Sequence, residues 1–197
     1  MQPLDFFFEF GSTYSYLAAM RVDDLARTAG ATVRWRPFLL GPIFQTQGWN
    51  DSPFNLYPQK GRYMWRDLER LTGELGLPFR RPDPFPQPSL LTARVALVGL
   101  AESWGEAFCR AAFTAEFGDG RQIADKTVIA DLLRGLGVAP QSVLERAHSD
   151  EIKAKLRAET EFARALGVFG APTFVTADGE LFWGNDRLEQ ALAWARE

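Results

Sequence analysis

The first strand of the chain restricts its fold more than any other stretch of sequence. Leu4–Phe10 is almost continuously apolar and aromatic, which predicts a strand that is covered on both faces. A glycine-serine-threonine break and a helical pattern follow, and Gly30 lies where a C-terminal cap is expected. Ala31–Arg36 is rich in β-branched and aromatic residues and predicts a second strand. Strand, helix and strand in this order predict a parallel pair joined by a right-handed crossover.

The last part of the chain has a different order of elements. Phe174–Thr176 and Glu180–Trp183 predict two short antiparallel strands, because the Asp-Gly pair between them is typical of a tight turn. A final helix begins after Gly184-Asn185-Asp186 and carries its apolar residues on one face. A β–α–β unit and a β–β–α unit together build the sheet of a thioredoxin-like fold.

The middle of the chain is predicted to be helical. Five prolines make Pro78–Pro88 an irregular connector between helices. The sequence therefore predicts an α/β protein, with a thioredoxin-like unit of residues 1–41 and 167–197 and a large all-helical insertion domain of residues 42–166. The helical patterns of the insertion cover Gly61–Leu75, Ser89–Trp104, Glu106–Phe117, Asp125–Leu136 and Gln141–Leu166, with a break near His148 in the last.

Composition excludes several classes of protein. Lys and Arg number 22 and Asp and Glu 25, so a net charge of −3 gives no electrostatic basis for binding nucleic acid or an anionic membrane. The single cysteine, Cys109, excludes an internal disulfide, a CxxC redox pair and a cysteine-based zinc site. Cys109 is expected to be a buried core thiol, and His148, the only histidine, a surface residue. With no signal peptide and no apolar stretch long enough to cross a bilayer, we expect a cytoplasmic protein without a metal.

A candidate site follows the first strand. A thioredoxin-type fold holds its reactive group at the start of the first helix, where this sequence has Ser12 instead of a cysteine. A serine hydroxyl can donate a hydrogen bond to the sulfur of another molecule. Lowering a thiol pKa of about 8.5 by two takes roughly 2.7 kcal/mol, which a hydroxyl, nearby amides and a helix N-terminus can supply together. The alternative is that Ser12 only caps the helix.

Two further loops reach the same end of the fold. Pro172 leads directly into a strand, which predicts a cis bond that leaves the backbone of Ala171 available to a bound peptide. The alternative is a plain proline at the start of a strand. Asn185 and Asp186 open the last helix, either as capping residues or as partners of an α-amino group such as the γ-glutamyl end of a tripeptide.

Five motifs, in order along the chain, resemble the 2-hydroxychromene-2-carboxylate isomerases and the related kappa-class glutathione transferases. They are FFFEFGSTYSYLA from Phe6, RPFLLG from Arg36, KGRYM from Lys60, GVFGAPTF from Gly167 and FWGNDRL from Phe182. The sequence departs from the family pattern at Thr13, where a proline is usual, and at Gln87-Pro88, where an asparagine is common. The resemblance implies a DsbA-like thioredoxin fold with a helical insertion, usually as a homodimer.

The resemblance also implies reduced glutathione as the cofactor. Ser12 would hold its sulfur, Ala171 at Pro172 would pair with its cysteinyl unit, and Asn185 and Asp186 would hold its γ-glutamyl end. The remaining implied contacts are Asn50 for glutathione and Lys60 for a substrate carboxylate, with Tyr57 among the aromatic residues expected to line an apolar substrate cleft.

The implied activity is isomerisation of 2-hydroxychromene-2-carboxylate or a related unsaturated aromatic carboxylate, a step of naphthalene breakdown. The thiolate adds to a conjugated carbon, rotation follows, and elimination returns the thiolate unconsumed. One alternative is a kappa-like glutathione transferase, which consumes glutathione. A second is a redox-inactive thioredoxin-fold binding protein, in which replacing Ser12 changes only helix stability.

Overall fold

The computed structural model describes residues 3–196 and has a four-stranded mixed sheet at its centre, in the order β2-β1-β3-β4. β1 is parallel to β2 and antiparallel to β3, and β4 is antiparallel to β3. The fold predicted from the two ends of the chain, a thioredoxin-like sheet with a helical insertion, is confirmed. The strands are β1 (Leu4–Phe8), β2 (Val33–Pro37), β3 (Thr173–Val175) and β4 (Leu181–Trp183).

The helices lie between β1 and β2, between β2 and β3, and after β4. Gly30 ends α2 in the left-handed conformation, as expected of a C-terminal cap, with φ of 69°. The predicted break near His148 is confirmed and separates α9 from α10. The helices are α1 (Thr13–Ala19), α2 (Val22–Ala29), α3 (Leu40–Thr46), α4 (Pro53–Leu56), α5 (Pro58–Leu75), α6 (Leu90–Leu100), α7 (Gly105–Phe113), a π-helical segment (Thr114–Gly118), α8 (Lys126–Gly135), α9 (Pro140–Ala147), α10 (Asp150–Ala165), a 3-10 turn (Asn185–Arg187) and α11 (Leu188–Trp194).

The sequence pattern missed three details of these helices. The first predicted helix is two helices, because α1 ends before Met20 and Arg21 starts α2 with φ of −118°. The short helices α3 and α4 were not predicted. The helix predicted to run to Phe117 changes to π-helical geometry, and there the amide of Asp119 bonds the carbonyl of Thr114 at 2.9 Å, five residues back.

β1 is buried along its whole length, as its composition predicts. On one face, the Phe6 ring stacks on Phe174 with centroids 5.3 Å apart and meets the edge of Trp35 at 5.1 Å. On the other face, Phe7 packs against Phe38, at 6.1 Å, and against Phe162 of α10, at 5.9 Å. Helices therefore cover both faces of the sheet, which holds the ends of β1 and β3 in fixed positions.

The connector between α5 and α6 is irregular, as predicted, and packs against both neighbours. Arg81 lies over the Trp65 ring at 4.6 Å, and the ring also meets the edge of Phe85 at 4.6 Å. Gln87 is buried and its side-chain oxygen accepts the amide of Ile123 at 2.7 Å. The departure from the family pattern at this position therefore serves the packing of the connector.

The division into a thioredoxin-like unit of residues 1–41 and 167–197 and an insertion of residues 42–166 stays a prediction, and Met1, Gln2 and Glu197 lie outside the described residues. Cys109 is buried and His148 is exposed, both as expected. Within residues 3–196, no helix combines the length and the apolar character that crossing a membrane requires.

Candidate functional site

Ser12 lies in the turn between β1 and α1 and makes four hydrogen bonds, one of them from the amide of Tyr16 to its carbonyl at 3.2 Å. Its Oγ accepts the amide of Ser15 at 3.2 Å and donates to the carbonyl of Ala171 at 3.0 Å. Its own amide donates to the carbonyl of Glu9 at 3.0 Å. Ser12 therefore caps α1, and the same hydroxyl is also joined to the loop before β3. Two residues that the sequence predicts for one site, 159 positions apart, are in direct contact.

The loop before β3 holds Ala171 and Pro172 beside Ser12. The bond between them is cis, as expected, and Pro172 is buried while Ala171 is partly exposed. The carbonyl of Pro172 accepts the amide of Gly184 at 2.9 Å, which joins this loop to the start of the 3-10 turn. Among residues 3–196, the amide of Ala171 has no hydrogen-bond partner. A donor for an incoming peptide backbone therefore lies beside the Ser12 hydroxyl.

Asn185 and Asp186 follow in the 3-10 turn, and they have different surroundings. Asn185 is buried, and its side-chain oxygen accepts a hydrogen bond from Arg21 at 3.1 Å. This side chain therefore binds the residue that precedes α2. The side chain of Asp186 is 74% exposed and lies 3.4 Å from Arg187. Asp186 also raises the pKa of Tyr14, after burial, Asp67 and Tyr63, so its charge reaches the first turn of α1.

The other residues at the start of α1 are turned toward α5. Thr13 donates its hydroxyl to the sulfur of Met64 at 3.2 Å, and Tyr14 donates to Asp67 at 3.0 Å. The Thr13 hydroxyl, which replaces a proline of the family pattern, is therefore already engaged away from Ser12. The pair of Tyr14 and Asp67 was not predicted, because periodicity shows which face of a helix is covered but not which polar groups meet there.

Asn50, Tyr57 and Lys60 are not brought into contact with Ser12. All three are exposed; Asn50 and Tyr57 lie in the loops on either side of α4, and Lys60 is in the first turn of α5. The ammonium of Lys60 lies over the Tyr57 ring at 4.8 Å. Within the part of the chain that the structure describes, no hydrogen bond joins any of them to the Ser12 turn or to the loop at Pro172.

A buried carboxyl lies beneath the Ser12 turn, and the sequence reasoning missed it. Glu9 accepts hydrogen bonds from the Ser89 hydroxyl and from the backbone of Gly11, and burial raises its pKa from 4.5 to about 7. Glu116, on the π-helical segment, is fully buried, and its pKa is raised well above 4.5 by burial and then by Glu9. The available signal was a glutamate inside a run of four phenylalanines and a glycine.

Among the described residues, the site contains neither a metal-binding cluster nor a reactive cysteine. Across residues 3–196, no group of three or more His, Cys, Asp or Glu side chains is arranged to hold a metal ion. Burial raises the pKa of Cys109 well above its ordinary value, so this thiol does not supply a thiolate. The site therefore presents the Ser12 hydroxyl and the Ala171 amide, and among the described residues no thiolate-forming cysteine accompanies them.

Comparison with known proteins identifies relatives over nearly the whole chain. Residues 3–193 match the family model of the DSBA-like thioredoxin domain. The chain is 32% identical over 190 residues to the 2-hydroxychromene-2-carboxylate isomerase of Sphingobium xenophagum, with 95% of each protein covered. It is 26% identical over 201 residues to glutathione S-transferase kappa 1 of Homo sapiens, with 95% of this chain and 88% of that protein covered. A solved 2-hydroxychromene-2-carboxylate isomerase has a TM-score of 0.87 at 28% identity, with 97% and 93% of the two chains covered.

Proposed function

The chain belongs to the DSBA-like thioredoxin domains and, among them, to the 2-hydroxychromene-2-carboxylate isomerases, and on this premise we propose that it uses reduced glutathione held at Ser12. The observation that carries the proposal is the hydrogen bond from Ser12 to Ala171, beside an Ala171 amide with no partner among residues 3–196. A hydroxyl and a free backbone donor are thus side by side, where a cysteine-containing tripeptide would present its sulfur and its backbone.

The residues of the site fit glutathione in charge and in hydrogen bonding. The backbone of Ala171, before Pro172, would pair with the cysteinyl unit as an added strand does. The exposed carboxylate of Asp186 would bind the α-ammonium of the γ-glutamyl unit, and Asn185 would support that end. Asn50 remains a proposed contact at the outer part of the site.

Ser12 would stabilise the sulfur as an anion by turning its single hydroxyl proton from the Ala171 carbonyl to the sulfur. Its Oγ already accepts the amide of Ser15, which polarises the O–H bond and makes the hydroxyl a better donor. When bound, glutathione supplies a thiolate that adds reversibly to a conjugated carbon and so permits rotation about a former double bond. The Thr13 hydroxyl takes no part, because it is bonded to Met64.

The proposed substrate is 2-hydroxychromene-2-carboxylate or a related unsaturated aromatic carboxylate from aromatic catabolism. Lys60 and Tyr57, stacked at 4.8 Å, are the proposed contacts for its carboxylate and its ring. We propose further that the enzyme works in the cytoplasm as a homodimer. A kappa-like glutathione transferase is the second candidate, because relatives of that name also align over nearly the whole chain.

Product analysis with 2-hydroxychromene-2-carboxylate and glutathione tests the proposal and separates the two candidates. Isomerisation returns the cofactor, so we expect the substrate to be converted while the concentration of free glutathione stays constant. A transferase would consume one glutathione for each product molecule. No conversion in the presence of glutathione, or equal conversion without it, would contradict the proposal.

A further inference from the structure

We propose that ionisation of the buried Glu9 carboxyl, which the nearby buried Glu116 opposes, weakens the anion site at Ser12, and this makes Glu9 a positioning residue of that site. The inference rests on the proposed function for its catalytic meaning. Its structural part, the connection from the Glu9 carboxyl to the Ser12 turn, stands on contacts within the chain.

Glu9 is bound to the Ser12 turn at both its main chain and its side chain. The Glu9 carbonyl accepts the Ser12 amide at 3.0 Å, and the Glu9 carboxyl accepts a backbone hydrogen bond from Gly11. A Cβ at position 11 would lie 3.0 Å from the carboxyl oxygen and 3.3 Å from the carbonyl of Gln87, so glycine permits this close approach. Two consecutive amides of the turn therefore bond one residue, Gly11 to the Glu9 carboxyl and Ser12 to the Glu9 main-chain carbonyl.

Among residues 3–196, no Lys or Arg forms an ion pair with Glu9. Glu9 is 9% exposed, the Ser89 hydroxyl at the start of α6 donates to it, Gly11 lies against it, and Glu116 is near enough for the Glu9 charge to raise its pKa. Only Glu116 among these is titratable. It is 0% exposed, and neither of its carboxyl oxygens has a hydrogen-bond partner within the described residues. No cation is among the causes that shift the pKa of either carboxyl.

Two buried carboxyls without a cation do not both ionise near neutral pH, so the pair retains a proton. Glu9 is the member that titrates in this range, because its two hydrogen bonds favour the charged form and partly oppose the effect of burial. An ionised Glu9 places a negative charge against Gly11, the residue before Ser12, and opposes a thiolate there. The coupling is reciprocal, so a bound thiolate also makes Glu9 harder to ionise.

Amide NMR of the protein alone tests the structural part. We expect the amide resonances of Gly11 and Ser12 to shift between pH 5 and 9 in the wild type, and to stop shifting in Glu9→Gln, which keeps an acceptor for both hydrogen bonds. In Glu116→Gln, the shifts of Gly11 and Ser12 with pH should follow a titration curve with one pKa, because Glu116 no longer titrates together with Glu9. Glu74→Gln, at an exposed position of α5, is the matched control and should titrate as the wild type does. Resonances of Gly11 and Ser12 that do not titrate in the wild type would overturn the proposal.

Thiolate absorbance of bound glutathione tests the functional part. Glu9→Gln should lower the apparent pKa of the bound thiol by about one, as expected for two charges roughly 10 Å apart at an effective dielectric constant of about 20. An unchanged thiol pKa in Glu9→Gln would overturn the control of Ser12 by Glu9. If the wild type gives no thiolate signal, the proposed function fails, and the amide titration still decides whether Glu9 reaches the Ser12 turn.

Discussion

Replacing Glu9 by glutamine should remove a large part of the pH dependence of stability. The folded pKa of Glu9 is about 7 and its ordinary pKa is 4.5. An acid with a raised pKa binds more protons in the folded state than in the unfolded state, so the free energy of unfolding falls as pH rises from 4.5 to about 7 and then levels off. At about 1.4 kcal/mol per pKa unit, Glu9 ionisation costs the folded state about 3 kcal/mol by pH 8.

Denaturant unfolding of the wild type and Glu9→Gln at several pH values from 4.5 to 8.5 measures this cost. The variant should approach the wild-type stability near pH 4.5 and exceed it by about 3 kcal/mol at pH 8, because a neutral amide keeps an acceptor for Gly11 and Ser89 without the buried charge. Glu74→Gln, which changes an exposed carboxyl, should follow the wild-type curve. Parallel curves for the wild type and Glu9→Gln would refute the reasoning, since they would mean that Glu9 titrates alike in the folded and unfolded states.

Three further predictions concern packing, a polar contact and the lone thiol. Gly61→Ala should destabilise the protein by at least about 2 kcal/mol in thermal unfolding, because the new Cβ would lie 2.2 Å from the carbonyl oxygen of Phe54; an unchanged melting temperature would contradict this. Tyr14→Phe should cost about 1 kcal/mol by loss of the bond to Asp67, and a double-mutant cycle with Asp67→Asn should show coupling rather than additivity. Cys109 should resist a thiol reagent in the native protein and react fully in guanidinium, whereas fast native labelling would contradict its burial and raised pKa.

The sequence predicted the fold well where local chemistry specifies it. The apolar run at Leu4–Phe10, the cap at Gly30 and the Asp178-Gly179 turn each fix one piece of the sheet topology. The π-helical segment and the division between α1 and α2 were not predictable, because the apolar spacing continues through both. The Arg21 side chain, which bonds Asn185 at the division, meets a partner that lies far away in sequence.

The candidate site was predictable only in part, because local sequence specifies the topology but not the contacts between residues far apart in the chain. Fold topology alone places Ser12 and Ala171 at one end of the sheet, and the structure shows them in contact. The partners of Glu9 could not be predicted, since Ser89 lies 80 residues away. Glu116 was assigned to an ordinary helix by its periodicity, and only the three-dimensional packing shows that it is buried without a hydrogen-bond partner among the described residues.

The ultraviolet absorbance of glutathione thiolate, titrated with the protein near neutral pH, tests the central claim most directly. We expect a saturable thiolate signal in the wild type that is largely lost in Ser12→Ala. Ser149→Ala is the matched control, because Ser149 caps α10 with a similar hydrogen bond, 3.3 Å long, to the amide of Ile152. That variant should lose only helix stability and keep the full thiolate signal. No signal in the wild type, or equal signals in the wild type and Ser12→Ala, would contradict the role of Ser12 at the sulfur.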